Sequence, residues 1–315
     1  MRNAWDRTAD WLARHVYGVA VASLAVNILI VVTGGVVRLT GSGLGCPTWP
    51  RCTEDSFTPH EAMDLHSAIE FGNRLVTFLI GAVAIAMLIA AWRTGRRTLT
   101  RLALILALGV PAQALIGGVT VLTGLDPWIV AFHLLVSMAM ICVAVVLLRR
   151  VREGDGPAEP TVPEGVRWLT WALFATGWVV LYLGTVVTGS GPHAGDVDAP
   201  RNGLDPRALS QLHTVFVFLL LGLTVATVLV LRSTDAPKRL RDAATALLLV
   251  ELAQGAIGFV QYFSGLPVVL VALHLLGAAL TAAAMTWVVL GTRDRETVSP
   301  PSSPAPYDAP PPARR

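Results

Sequence analysis

The chain has 315 residues, 54% of them hydrophobic and only 14% charged, with a formal net charge of +3 and a mean hydropathy of +0.61. A soluble domain carries about 25% charged residues, so these figures exclude an ordinary soluble protein, a disordered chain and a disulfide scaffold. So small a charge excess does not point to nucleic acid. The composition is that of a membrane protein.

In chain order, the N-terminal segment carries Arg2, Asp6, Arg7, Asp10 and Arg14 and lacks a small-residue cleavage site. The first apolar run is therefore expected to be retained rather than removed as a signal peptide. A spanning helix needs about 20 apolar residues, and such runs lie at 16–37, 75–92, 102–125, 128–148, 168–187, 215–231, 243–263 and 266–290. Segment 153–166, rich in Gly, Pro and acid, links two sets of four runs, and the Pro-rich tail 293–315 reads as solvated and disordered. Basic residues near the ends of the runs divide nineteen to one side and five to the other, which places both termini in the cytoplasm. The expectation is an all-α integral membrane protein of the cell membrane. Its eight transmembrane helices form two repeated four-helix bundles, 1–152 and 167–292.

The halves match internally. Ala112-Gln113-Ala114-Leu115-Ile116-Gly117 corresponds to Ala253-Gln254-Gly255-Ala256-Ile257-Gly258, and in both halves a histidine, His133 or His274, follows the glutamine by 20 residues. Thr40-Gly41-Ser42-Gly43 returns as Thr188-Gly189-Ser190-Gly191, and Leu65-His66-Ser67 as Leu212-His213-Thr214. Four-helix bundles place cofactor sites between facing helices, so a duplicated bundle predicts two related sites.

Of seven histidines, His15, His60 and His193 fall in polar flanks and read as solvated. His133, His213 and His274 fall at the outer ends of spans, where ionisable groups are costly and usually functional. One such histidine alone is as well explained by a hydrogen bond to a neighbouring helix; a repeated set is not. Neutral imidazole ligates iron, copper and zinc. No Cys–His spacing suits zinc and no carboxylates accompany these histidines at di-iron spacing. Bis-imidazole ligation of a haem iron, with the porphyrin faces against apolar side chains, suits a lipid-embedded site. His213 and His274 make one such site; His133, with a partner from the second span, makes the other.

Eight spans in two repeats, Cys46 and Cys52 in the first outer loop, Glu70-Phe71-Gly72-Asn73-Arg74 and the three helix histidines together resemble the haem A synthase family, over residues 15–291. The resemblance implies oxidation of the C8 methyl group of haem O to a formyl group, by an oxidoreductase with haem B bound in its second half and the substrate haem O in its first. It implies His213 and His274 as ligands of haem B, His133 as ligand of the substrate haem, and Glu70 as an essential catalytic glutamate. Haem O synthase, the protohaem farnesyltransferase, is then the partner that delivers substrate. A quinol is a candidate electron donor, and self-association into a homo-oligomer is left open.

One position departs from the family pattern Glu-x-x-His-Arg: Asn73 stands where a histidine is expected. His66 is the substitute, and the repeat is divided on it. Counting from Thr40 equates His66 with His213, whereas counting back from His133 equates Asn73 with His213. Seven residues separate the two, about 10 Å along a helix. Arg38, Arg74 and Arg207 are candidate partners for haem propionates at the outer edge; each is equally read as an interfacial arginine. Cys46 and Cys52 lie outside, where disulfides form, and are expected to pair as a loop staple; the family suggests a redox role as well. Cys142 reads as a small core residue, and Glu251 belongs to a polar and small packing stripe with Gln254, Gly255, Gly258 and Gln261. Two further classes fit the histidines: a di-haem electron carrier oxidising quinol, and a haem transporter, although the halves lack the inverted topology common in transporters.

Overall fold

The computed structural model describes residues 3–59 and 65–296; His60 and the tail from Thr297 lie outside the described residues. Nine helices are formed among the described residues: α1 (Ala4–Arg14), α2 (Val16–Leu39), α3 (Leu65–Arg93), α4 (Arg97–Leu122), α5 (Pro127–Arg152), α6 (Glu164–Ser190), α7 (Pro206–Ser233), α8 (Lys238–Phe263) and α9 (Val268–Gly291). Eight of them, α2 to α9, are long and apolar enough to cross a bilayer. The protein is an all-α, multi-pass membrane protein.

The helices outrun the apolar runs that announce them. α3 and α7 begin ten and nine residues, more than two turns, before their hydrophobic stretches, because polar first turns keep their backbone hydrogen bonds. Asp126 and Asp205 each accept hydrogen bonds from the first backbone N–H groups of α5 and α7, with Pro127 and Pro206 at the first helical position, where a missing N–H costs nothing. The short helix α1 was not expected from the sequence, since its apolar residues are interspersed with charge. Asn3 caps it, and Arg93 at the end of α3 ties it down through Asp6 at 2.8 Å and Asp10 at 3.3 Å.

In the first half, α2, α3, α4 and α5 pack in a closed ring, each against the next and α5 back against α2; α6, α7, α8 and α9 repeat the same ring. The rings meet through α5 and α9, flanked by α2 on α9 and by α6 on α5, so the duplication in the sequence is a two-fold pairing in space. Small residues allow this contact. A Cβ on Gly35 of α2 would stand 2.2 Å from Leu275 Cδ2 of α9, and Ala279 and Ala282 of α9 are completely buried against Met138 and Ile141 of α5. Large apolar side chains such as Phe78 and Phe218 face outward, as lipid contact allows.

The linker between halves is structured. β1 (Glu159–Pro160) pairs antiparallel with β2 (Arg293–Asp294) just beyond α9. Glu153, only 5% exposed, receives Arg149 at 2.5 Å and Arg295 at 3.3 Å. Helix α1, the linker and β2 share one end of the bundle; the disulfide loop and the Thr-Gly-Ser-Gly motifs share the other.

Candidate functional site

The second half shows the site most completely. His213 projects from α7 and His274 from α9, helices on opposite corners of the ring, and the two lie within electrostatic reach of each other. Each imidazole meets a glycine on the intervening corner. A Cβ on Gly184 of α6 would be 3.4 Å from His213 Cε1, and one on Gly258 of α8 would be 3.4 Å from His274 Cε1. Absence of side chains there leaves room for the rings. The Nδ1 atoms of both histidines are buried without a hydrogen-bond partner. Gln254 donates to the carbonyl of His274 at 2.7 Å and fills the position opposite Gly277, where a Cβ would lie 2.0 Å from its Oε1.

The first half repeats this on α4 and α5. Gln113 donates to the carbonyl of His133 at 3.1 Å, and Gly117 abuts His133 Cε1 at 3.4 Å from its ideal Cβ; His133 Nδ1 is likewise buried and unpartnered. On α3 the pattern breaks. His66 is exposed in the first turn, beside Gly41, with its Nδ1 3.0 Å from Ser42 Oγ, itself 2.8 Å from Thr40 Oγ1. His213 instead lies against Gly184, a full turn before the corresponding Thr188. Asn73, two turns deeper than His66, is half-buried with its Oδ1 unpartnered. By this measure Asn73 stands at the depth of His213, and His66 about 10 Å nearer the loop end.

Above the first-half site sits the loop closed by the Cys46–Cys52 disulfide. Glu70, 5% exposed, accepts the Cys46 N–H on Oε2 at 2.6 Å and the Arg74 guanidinium on Oε1 at 2.7 Å. Arg74 also donates to the carbonyls of Cys46, Thr48 and Arg51. Trp49, from the same loop, packs flat where a Cβ on Gly118 would otherwise project, 2.4 Å from its ring. Glu70 and Arg74 therefore hold the loop down over α3 and α4.

The remaining arginines are placed differently. Arg38 turns to the second half, donating to the carbonyls of His193 at 2.7 Å and Thr188 at 3.1 Å, while Arg207 is exposed in the first turn of α7. His193 is not simply solvated: its Nε2 donates to the Leu266 carbonyl at 2.9 Å. His15 is exposed and stacks on Trp11. Cys142 is a half-buried free thiol directed at the Ala282 carbonyl. Glu251 is buried and bonded by Thr224 Oγ1 at 2.9 Å. Sequence reasoning missed the glycine facing each helix histidine and the Ser42 contact. Gly117 and Gly258 were present in the repeat itself, but nothing local said what they faced.

Among the described residues no three His, Cys, Asp or Glu side chains cluster to hold a bare metal ion. The donor set is instead two imidazoles on diagonal helices, each packed against a glycine and each with a buried, unpartnered Nδ1. A planar iron macrocycle fits it.

Comparison with known proteins agrees. The family described as "Cytochrome oxidase assembly protein" matches residues 17–197 and 207–313. The chain belongs to this family. It is 31% identical over 263 residues to the heme A synthase of Symbiobacterium thermophilum, spanning 76% of this chain and 84% of that protein. The heme A synthase of Halalkalibacterium halodurans is 27% identical across 84% of this chain and 92% of its own length. That of Bacillus cereus is 24% identical across 92% and 95%.

Proposed function

We propose that this protein is a haem A synthase, an oxidoreductase that converts the C8 methyl group of haem O to a formyl group. The observation that carries the reading is the diagonal His213–His274 pair, repeated in part at His133, in a chain of this family. Each of two oxidations replaces a C–H bond of one carbon by C–OH, methyl to alcohol and then alcohol to hydrated aldehyde, which loses water to leave the formyl group. The oxygen comes from water when two electrons per step leave to an acceptor, or from dioxygen when a donor such as a quinol supplies two electrons per step and the second oxygen atom leaves as water. Haem B in the second half would supply a redox-active iron held by His213 and His274.

Residues of the chain do the rest. Gly184 and Gly258 give the imidazoles room, and Gln254 fixes the helix that carries His274. In the first half His133 binds the iron of the substrate. Asn73, two turns deeper than His66 on α3, is a poor iron ligand, which suits a molecule that must enter and leave. His66, with Nδ1 engaged by Ser42, keeps Nε2 available at the loop end, where substrate propionates need donors. Glu70 and Arg74 hold the disulfide loop over this site. Glu70 is also the buried carboxylate held against this loop, and would take a proton from the substrate at the cost of releasing Cys46 or Arg74. The distribution of arginine and lysine supports both termini, the linker and β2 in the cytoplasm, with the haem sites toward the outer face. Haem O synthase is then the supplier of substrate and a quinol the candidate donor.

The test is pigment extraction from cells that make haem O but have no haem A synthase of their own. Expression of this chain should yield haem A or its alcohol precursor, with His133→Ala abolishing product and His66→Ala reducing it. Haem B alone, with haem O unchanged, would identify an electron carrier instead.

A further inference from the structure

Several basic side chains at the terminal end are neutralised inside the protein: Arg93 by Asp6 and Asp10, Arg96 by Asp155, Arg149 and Arg295 by Glu153, and Arg239 by Asp294. Arg97 and Arg101 are not. Both are exposed, they stand one turn apart on the same side of α4, and neither side chain has a protein partner among the described residues. With Trp92, Gly95, Thr100 and Leu104 they line a groove of about 340 Å³ at the turn between α3 and α4.

We infer that this groove binds the phosphodiester headgroup of an anionic phospholipid. The position is interfacial, since α3 ends at Arg93 and α4 begins at Arg97, and Trp92, 59% exposed, occupies the level where indoles anchor at the headgroups. Two guanidinium groups on adjacent turns offer paired donors to one phosphate. Gly95, at φ +72° and with open space where a Cβ would be, leaves the floor of the groove clear. Below it Leu104, Ile105 and Leu108 are all exposed, at 43%, 53% and 61%, forming a continuous apolar track down α4 for an acyl chain. A free phosphate would use the arginines and ignore the track. A second groove of similar size, about 350 Å³, opens at the start of α6, but there Glu164 stands beside Arg167 and Arg293, so its charge is mixed. The inference is independent of the reaction the protein performs.

The experiment uses the full chain in mild detergent with equimolar phosphatidylglycerol and phosphatidylcholine, read by native mass spectrometry. The wild type should retain phosphatidylglycerol selectively. R97Q/R101Q should weaken that retention about 30-fold, at about fivefold per guanidinium near the surface. The control R232Q/R241Q, which removes two other basic groups of the same end outside the groove, should leave it unchanged. L108Q should weaken the lipid but not inorganic phosphate. Equal retention of the two lipids, or equal loss in the control, would reduce the groove to a diffusely basic surface. Displacement of the lipid by inorganic phosphate bound at the same arginines, with L108Q silent, would make it a site for the free anion; each of these outcomes overturns the inference.

Discussion

Gly184 and Gly258 do more for the site than their size suggests. A bare Cβ at either position would already be 3.4 Å from an imidazole carbon, so alanine is just accommodated and a branched side chain is not. Groups that orient a ligating histidine are worth about 10–100-fold in metal affinity. Gly184→Val and Gly258→Val should therefore lower bound haem by that factor with the helical fold intact, while Gly184→Ala stays close to wild type; haemochrome assay of the purified variants checks this. Glu70 poses a different question, because both of its oxygens are engaged. A glutamine there must turn an NH₂ group toward either the Cys46 N–H or Arg74, placing donor against donor. Losing one buried, charge-assisted bond in this way costs about 1–3 kcal/mol. Glu70→Gln should abolish haem A formation and also expose the Cys46–Cys52 disulfide to mild reductant, read by alkylation and mass spectrometry. Loss of activity with the disulfide fully protected would assign Glu70 to proton transfer alone.

At the scale of elements, the two halves are joined at the loop end by backbone and side-chain hydrogen bonds and by a small apolar cluster around Leu125, Ala194 and Ala199. Gly43 donates to the Gly195 carbonyl at 2.7 Å, and Arg38 spans from α2 to the carbonyls of Thr188 and His193. The turns that enter α5 and α9 are built alike: Leu125 and Leu266 both take left-handed backbone, at φ 64° and 60°, and each returns its N–H to a carbonyl five residues earlier, on Thr120 and Gln261. That closure offsets a conformation costing an ordinary residue about 1–2 kcal/mol. Leu125 also fills the space against Gly43 and Gly195, so the turn of one half seats the loop of the other. Arg38→Ala leaves two carbonyls without their charged donor and should lower stability by about 2–3 kcal/mol. A thermal melt of the detergent-solubilised variant measures it, and an unchanged midpoint would remove Arg38 from the joint between the halves.

For the whole molecule, the terminal end is closed by ions. The Arg96 side chain bonds Asp155 at 3.0 Å together with the carbonyls of Arg150, Val151 and Glu153, tying α4 to the linker. The hydrogen bond from Arg96 holds the Asp155 carboxyl below its ordinary value of 3.8. A carboxylate with a depressed folded pKa adds stability that is fully present above the unfolded value and is lost as pH falls through the folded one. The linker should therefore resist proteolysis at neutral pH and open only below about pH 4. Asp155→Asn should make it susceptible already at pH 7, which timed digestion across that range would show; identical digestion of wild type and variant would place the closure elsewhere, on Glu153.

The sequence by itself determined the membrane class, the eight spans, the duplication, the cysteine loop and the three helix histidines. Run length, charge asymmetry and repeat spacing are properties of a chain read along one dimension, so these were legible. Partners brought together across that dimension were not. Arg38 read as an interfacial arginine and became a strut to residues about 150 positions away. Glu70 read as a catalytic glutamate and Arg74 as an interfacial arginine, and together they became the anchor of a loop some 25 positions away. Repeat counting left His66 and Asn73 level, because an insertion of one residue shifts a count without saying which helix turn absorbs it. Only packing decided their depth. Ser42 holds His66 at the loop end, while Asn73, two turns further along α3, is half-buried within the ring of α2 to α5.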